Sequence, residues 1–253
     1  MAELWIPLAA LAASLLTLFA GFGLGTLLLP AFVLFFPVDL AVALTAAVHL
    51  LNNLFKTGLL WRSADRGVVL RFGLAGIAGA WLGASCLVRL EGVPYLYPGL
   101  HVPVSAPQLV IALLMAVFAL LELWPGAKLW ALSPRWLVPG GALSGFFGGL
   151  SGHQGALRSI FLLRTGMGKE AFIATGTVIA VLVDLVRLPV YATHLPAGQL
   201  QAQWPLLIAS VLAAFLGSWW GRRLIPRVTL RSVQVIVGLL VLGFALALLL
   251  GVM

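Results

Sequence analysis

Two apolar segments carry polar and charged side chains at positions where lipid would surround them. In the run 170–193, Asp184 and Arg187 stand three residues apart. The run 39–61 carries four more polar side chains, those of His49, Asn52, Asn53 and Lys56. A charge at membrane depth is costly unless it is paired or hydrated, so all six residues are candidates for a functional site.

The charged residues among these six admit two interpretations. In one, Asp184 and Arg187 form a salt bridge that fixes helix packing, and Lys56 extends to the cytoplasmic interface. In the other, Lys56 and Arg187 hold equivalent positions in two inverted repeats, so that the fold brings two cations together at an anion site. We favour the second, because exposed backbone amides at nearby helix breaks would also suit an anion.

Glycine clusters interrupt two otherwise apolar segments. The first is Gly21-Phe22-Gly23-Leu24-Gly25, in which Gly23 and Gly25 are candidate site residues. The second spans 145–155 and is richer in polar side chains; its candidates are Ser151, Gly152, His153, Gln154, Gly155 and, one turn further, Arg158. A helix break survives in a membrane only where protein or a water-filled cavity lines it, so we expect the substrate at these two places.

The second break has the chemistry of an anion site. If a half-helix starts between Gly152 and Gly155, its free N–H groups and positive dipole end face the cavity. Ser151 and Gln154 can add hydrogen bonds to oxyanion oxygens. The alternatives are a packing role for His153 and close helix approach for the glycines, several of which fall at GxxxG spacing: Gly141, Gly145 and Gly149, and likewise Gly79 and Gly83.

The composition assigns the chain to the polytopic membrane proteins. Of its 253 residues 62% are hydrophobic and 9% are charged, and its mean hydropathy is +1.12, far from the values of soluble domains. The apolar runs leave almost nothing for a soluble domain, so we predict one integral membrane domain. They cover about 4–20, 26–36, 39–61, 67–90, 108–124, 136–164, 170–193, 204–221 and 229–252.

Charge and cysteine content bear on which partners and cofactors the protein uses. The net charge of +8 comes mostly from short loops, where the positive-inside bias puts Lys and Arg, so we predict no nucleic-acid partner. The single cysteine, Cys86, predicts neither a disulfide nor a metal site, and we expect no cofactor. The first apolar run is preceded by Glu3 and by no basic residue, whereas a signal peptide normally begins with positive charge. We therefore expect this run to belong to the mature fold.

The second half of the chain repeats the first. Asn53-x-x-Lys56 matches Asp184-x-x-Arg187. Leu82-Gly83-Ala84 matches Leu216-Gly217-Ser218 at nearly the same offset along the chain. We therefore predict two membrane repeats, 1–125 and 126–253, each with four apolar elements: a glycine-broken segment, a helix with the polar step, a helix with small residues and a final apolar helix.

Loop charges predict the orientation of the repeats. Basic residues put the loops 62–67, 125–135 and 222–231 inside, whereas 91–107 and 194–203 carry almost none and belong outside. Eight simple crossings conflict with these charges. The conflict disappears if 4–36 and 136–164 are re-entrant hairpins, leaving three crossings per repeat and both termini outside. The prediction is an all-α membrane protein with two inverted-topology repeats; one long broken span at each glycine cluster is the alternative.

At this point the residues resemble the TauE/SafE family of bacterial membrane proteins, over essentially the whole chain. The resemblance rests on the first glycine cluster followed by Pro30, on Gly148-Gly149-Leu150-Ser151-Gly152 with Gly155 and a basic position after it, and on the four-element halves. It implies a permease for sulfite, sulfonates or related sulfur anions in a bacterial inner membrane. One departure is Thr26, where a further glycine is common in the family.

The mechanism we expect is alternating access, with the anion held between the two breaks and the repeats rocking around it. No nucleotide-binding loop is evident, which indicates a gradient-driven carrier or a uniporter rather than an ATPase, and Asp184 or a histidine can relay a proton. The partners are the anion and the lipid bilayer, and a homodimer is compatible with the sequence. The rival functions are a passive anion channel and an intramembrane serine hydrolase using Gly149-Leu150-Ser151-Gly152, for which His153 would point away from the serine on a helix.

Overall fold

The computed structural model describes residues 1–20, 23–93, 95–124, 132–196, 198–224 and 230–252. Gly21 and Phe22 of the first break, Lys128 of the 125–135 loop and Arg227 of the 222–231 loop lie outside the described residues. Within the described part the fold is all helical, apart from one isolated bridge between Tyr97 and Val104. The helices are α1 Ala2–Ala20, α2 Leu24–Val33, α3 Val38–Leu60, α4 Arg66–Glu91, α5 Ala106–Leu123, α6 Leu137–Ser151, α7 Gly155–Leu162, α8 Lys169–Ala192, α9 Trp204–Leu224 and α10 Leu230–Leu249.

Five stretches of the described chain are long and apolar enough to cross a membrane. They are Val38–Ser63, Arg66–Glu91, Ala106–Leu123, Lys169–Ala192 and Gln201–Gly221. Large apolar side chains stand exposed on the outer faces of these helices at helical spacing, for example Ile208, Leu212 and Leu216 on α9. Such faces suit lipid rather than water, so the prediction of a multi-pass all-α membrane protein is confirmed.

Both glycine clusters interrupt helices where the sequence predicts a break. The first lies between α1 and α2, and the second lies between α6 and α7. Gly152 ends α6 in the left-handed region at φ +82°, a conformation that costs glycine little. At 1.5 Å per residue α2 is about 15 Å long and α7 about 12 Å long, well short of the roughly 30 Å hydrocarbon core.

One boundary of each of the first three helices recurs in the second half at a constant offset. The offset equals the interval along the chain between Asn53 and Asp184. The pairs are the ends of α1 and α6 at Ala20 and Ser151, the starts of α2 and α7 at Leu24 and Gly155, and the starts of α3 and α8 at Val38 and Lys169.

Glycines at four-residue spacing let helices from different halves approach closely. α4 packs on α6, and α1 packs on α9. A Cβ on Gly83 of α4 would overlap the backbone oxygen of Phe146 in α6, and a Cβ on Gly217 of α9 would overlap the backbone oxygen of Leu11 in α1. The glycines of the GxxxG series therefore have the close-packing role that the sequence offers as an alternative, while the breaks lie beside them.

Two apolar cores flank the breaks. The larger combines buried residues from most of the helices and encloses α2, whose Leu24, Leu28 and Phe32 are buried. The smaller packs α7 against its neighbours through Val68, Phe72, Leu137, Phe161, Leu162 and Ile179. α3 and α8 pack together and contribute to these cores, and they carry Lys56, Asp184 and Arg187.

Candidate functional site

The carboxylate of Asp184 is the centre of a buried polar cluster. Its Oδ1 accepts a hydrogen bond of 2.8 Å from Nε of Arg187, and Nη2 of Arg187 also lies 2.8 Å from this oxygen. Its Oδ2 lies 2.6 Å from Nδ1 of His49. All three side chains are buried, and Asp184 and Arg187 have no exposed surface. Buried charges need such pairing, because leaving one alone in the interior is strongly destabilising.

This cluster joins elements of both halves. His49 lies on α3 and Asp184 on α8, so their contact bridges the predicted repeats. Arg187 also donates through Nη1 to the backbone oxygen of Gly148, 3.2 Å away, and the hydroxyl of Tyr191 donates to the backbone oxygen of Gly149. The last turn of α6 is therefore attached to α8 immediately before the second break.

The two breaks lie next to each other. A Cβ built on Gly25 would stand 3.6 Å from the backbone oxygen of Gly152 and 3.8 Å from Cδ2 of His49. A Cβ on Gly23 would stand 3.6 Å from Nε2 of His49, and one on Gly152 would press against Nη1 of Arg187 at 2.8 Å. Both breaks thus lie against the His49–Asp184–Arg187 cluster, and at Gly152 a side chain would not fit without a shift of Arg187.

Polar side chains of the second break carry buried atoms that lack a partner within the described residues. They are Nε2 of His153 and both amide atoms of Gln154, and each residue is 2% exposed. Gln154 is the N-cap of α7, but its side chain does not cap the helix. Oγ1 of Thr45, whose methyl group lies near Gly25, is also without a partner. Buried polar atoms are normally satisfied, so these groups are available to hydrogen-bond a polar ligand or water.

Asn52 and Asn53 of α3 take part in further hydrogen bonds. Asn53 places its Nδ2 at 3.1 Å and 3.2 Å from the two ring nitrogens of His49. Oδ1 of Asn52 accepts from Ser218 at 2.9 Å, and Ser218 lies 2.6 Å from Ser14. The sequence does not single out Ser14, Thr45 or Tyr191, because single hydroxyls in apolar helices are common, and Ser218 enters only through the match of small residues between the two halves.

The two outlying cations, buried Lys56 and half-buried Arg158, have no contact with the carboxylate. Lys56 is 8% exposed, and no hydrogen bond or ion pair joins it to Arg187 or to any other residue that the structure describes. Arg158 packs its Nε against Gly176 of α8, and its Nη1 has no partner in the described chain. The predicted meeting of Lys56 with Arg187 is thus not a direct contact here, whereas the alternative salt bridge of Asp184 with Arg187 is present.

Comparison with protein families identifies the family of the chain. The profile of the family described as sulfite exporter TauE/SafE matches residues 6–248 of the chain. The chain belongs to the TauE/SafE family. Comparison with curated proteins and with solved structures gives no match. The family is one of membrane transporters for sulfur anions, and the resemblance noted in the sequence is confirmed.

Membership in a transporter family argues against the hydrolase alternative, and so does the geometry of Ser151. The prediction that His153 points away from this serine is wrong: α6 ends at Ser151, and Nδ1 of His153 lies 3.1 Å from Oγ. The serine hydroxyl, however, donates to the backbone oxygen of Phe147 at 3.1 Å, so the imidazole must donate to the serine. A general base has to accept the serine proton instead.

Two apolar grooves of about 410 and 460 Å³ lie on the outer surface, away from this cluster. One is lined by Trp5, Leu27, Phe35, Phe244 and neighbouring residues, and the other by Leu121, Leu157, Phe161 and neighbouring residues. Aliphatic and aromatic walls offer no charge to an anion. We therefore take the polar cluster at the breaks, and not these apolar grooves, as the candidate site of this TauE/SafE protein.

The pairing of Asp184 with Arg187 predicts a non-additive effect on stability. Replacing Arg187 by Met leaves the buried carboxylate without its main cation and should lower the stability by about 3 kcal/mol or more. Replacing Asp184 by Leu as well should recover most of this loss, because the charge and its partner are removed together. Thermal unfolding of the two variants in detergent measures the difference; additive losses in the double variant would contradict the pairing.

Proposed function

We propose that this protein carries a small sulfur oxyanion, such as sulfite or a sulfonate, across the membrane by alternating access. The anion lies between the two glycine breaks. The observation that carries the proposal is the juxtaposition of both breaks with one buried guanidinium, that of Arg187, beside buried polar atoms that have no partner in the described chain.

The groups at the breaks suit a ligand whose oxygens only accept hydrogen bonds. The amide of Gln154 and the hydroxyl of Thr45 can donate to such oxygens, and Arg187 supplies a delocalised cation. The N-caps of α2 and α7, Gly23 and Gln154, leave the first N–H groups of both helices without a side-chain cap. Helix N-termini of this kind favour anions through their free donors and dipoles.

The proposed site is asymmetric, although the two breaks are equivalent in position. The first break contributes glycine backbone and the neighbouring Thr45, and the second contributes His153, Gln154 and the contact with Arg187. The sulfur oxygens therefore face the second break. The opposite side of the ligand would meet glycine backbone, His49 and Thr45. Lys56 and Arg158 contribute positive charge near the site without direct contact.

Inverted repeats over 1–125 and 126–253 would supply the rocking motion. The recurrence of three helix boundaries at a constant offset supports them. So does the packing: α1 lies on α9 as α6 lies on α4, and α3 lies on α9 as α8 lies on α4. α3 packs on α8 and α5 on α10, as equivalent helices beside a pseudo-twofold axis would. Rocking about this axis would expose the breaks to each side in turn.

The proposed orientation follows the loop charges. The loops 62–67, 125–135 and 222–231 face the cytoplasm, both termini lie outside, and each glycine-broken segment is re-entrant. The short half-helices α2 and α7 support re-entry, since neither crosses the membrane alone. We place the protein in a bacterial inner membrane, where an ion or substrate gradient drives transport. A homodimer is compatible with this arrangement.

Exchange of labelled sulfite tests the proposed function. Proteoliposomes loaded with unlabelled sulfite should take up ³⁵S-sulfite, with methanesulfonate and acetate outside as competitors. Gln154→Leu removes the amide at the second break and should weaken the apparent affinity about tenfold or more, because hydrogen bonds to charged groups are the strong ones. The same substitution at the exposed Gln201, outside the site, is the matched control and should change nothing. The absence of exchange by the wild type, or equal effects at both glutamines, would contradict the proposal.

Cysteine accessibility tests the re-entrant plan. In a Cys86→Ser background, single cysteines at Ser133, Thr165 and Gln199 are treated with a membrane-impermeant maleimide in intact cells. We expect the cysteine at 199 to be labelled and those at 133 and 165 to be protected until the cells are opened. If the segment 136–164 crosses the membrane once, 133 and 165 will instead lie on opposite sides.

A further inference from the structure

His49 stands between a carboxylate and a glycine break. Its Nδ1 lies 2.6 Å from Oδ2 of Asp184, and a carboxylate can only accept, so Nδ1 carries a proton in every charge state of the ring. Its Nε2 faces the first break, where a Cβ on Gly23 would lie 3.6 Å away. A second proton on this imidazole would therefore be added on the side of the proposed anion.

Protonation of His49 changes the net charge of the His49–Asp184–Arg187 cluster. The negative charge of Asp184 and the positive charge of Arg187 cancel. Nε and Nη2 of Arg187 each lie 2.8 Å from Oδ1 of Asp184, so the two charges form one close ion pair. With a neutral His49 the cluster has no net charge to offer an anion. With a protonated His49 it carries one positive charge, buried and adjacent to both breaks, where electrostatic interactions are strong.

Few other charged groups face His49. Asp184 and Arg187 act on it from α8, and Lys56 acts on it from its own helix. α2 carries no titratable side chain, and neither does the part of α9 from Trp204 to Gly221. α5 carries Glu122 in its last turn. Asn53, whose Nδ2 is 3.2 Å from Nε2, must turn its amide oxygen toward the ring when Nε2 is protonated.

We propose that His49 takes up one proton together with each anion, so that the protein is a proton–anion symporter. A proton from the aqueous phase binds Nε2 as the anion enters, and the ring becomes an imidazolium held by Asp184. On the other side the anion leaves, Nε2 releases its proton to water and the neutral cluster is restored. Each cycle moves one anion and one proton. The inference rests on the proposed function and adds its coupling site.

His153 is the rival proton carrier, because its Nε2 is also buried without a partner in the described residues. It differs in having no carboxylate beside it. Its Nδ1 donates to Ser151, and its ring stacks on Phe118 at a centroid distance of 6.0 Å. An imidazolium there would lack the compensation that Asp184 gives to His49.

The test compares exchange and net flux in proteoliposomes containing a pH-sensitive dye. Exchange of ³⁵S-sulfite between equal internal and external concentrations is measured first at about pH 6 and about pH 8.5, in wild type, His49→Gln, Asp184→Asn and His194→Gln. His49→Gln keeps the cluster neutral and should reduce exchange about tenfold or more at the lower pH. Asp184→Asn leaves the cluster permanently positive, so its exchange should lose most of the pH dependence seen in the wild type.

Net sulfite uptake should acidify the liposome interior in wild type and in His194→Gln, whose histidine is exposed and distant from the site. Because sulfite itself titrates in this range, the variants are compared with one another at each pH. Failure of the wild type to exchange sulfite would refute the proposed function. Normal exchange with wild-type pH dependence in His49→Gln, or loss of that dependence in His153→Gln, would overturn the symport inference alone. If Asp184→Asn does not elute as a single species in detergent, His49→Gln decides the question.

Discussion

A carboxylate without exposed surface, that of Asp184, sets the arrangement of the central helices. An isolated charge at membrane depth is too costly to persist, so Asp184 must keep both of its partners. His49 comes from α3 and Arg187 from one turn further along α8, and Arg187 extends to the end of α6. Three helices from both halves thus meet at one negative charge, and the glycine breaks lie against this meeting point.

In the proposed transport cycle, the same constraint favours a group at the cluster that can change its charge. A fully neutralised ion pair binds an anion weakly, because the carboxylate repels what the guanidinium attracts. A third group that changes charge can alter this balance in each cycle, and the imidazole of His49 is in position to do so. The glycines contribute in a different way: without side chains, the backbone at both breaks can approach the cluster and the ligand closely.

Much of this arrangement is visible in the sequence, and the reasons are physical. Glycine clusters and charges are rare in apolar segments, so the break at 145–155 and the pair Asp184 and Arg187 stand out. Three helix boundaries recur at the interval between Asn53 and Asp184, among them the ends of α1 and α6 before the two breaks. Family membership, predicted from the motifs at the breaks, is confirmed over residues 6–248.

The rest depends on three-dimensional contacts that spacing does not encode. Ser151 and His153 look divergent on a continuous helix, but the left-handed Gly152 ends that helix and turns the imidazole toward the hydroxyl. Ser14 and Ser218 lie in opposite halves of the chain and meet only because glycine lets α1 and α9 pack closely. The pseudo-symmetric positions of Lys56 and Arg187 suggested two cooperating cations; Arg187 is committed to Asp184, whereas Lys56 has no ion-pair partner in the described chain.

The central claim is that a sulfur oxyanion binds between the two glycine breaks. The most direct measurement is an anomalous difference map from crystals grown with selenite, the selenium analogue of sulfite. We expect a selenium peak between Gly25 and Gly152, within hydrogen-bonding reach of Gln154 and Arg187. A peak elsewhere, or an empty site in protein that exchanges selenite in proteoliposomes, would contradict it.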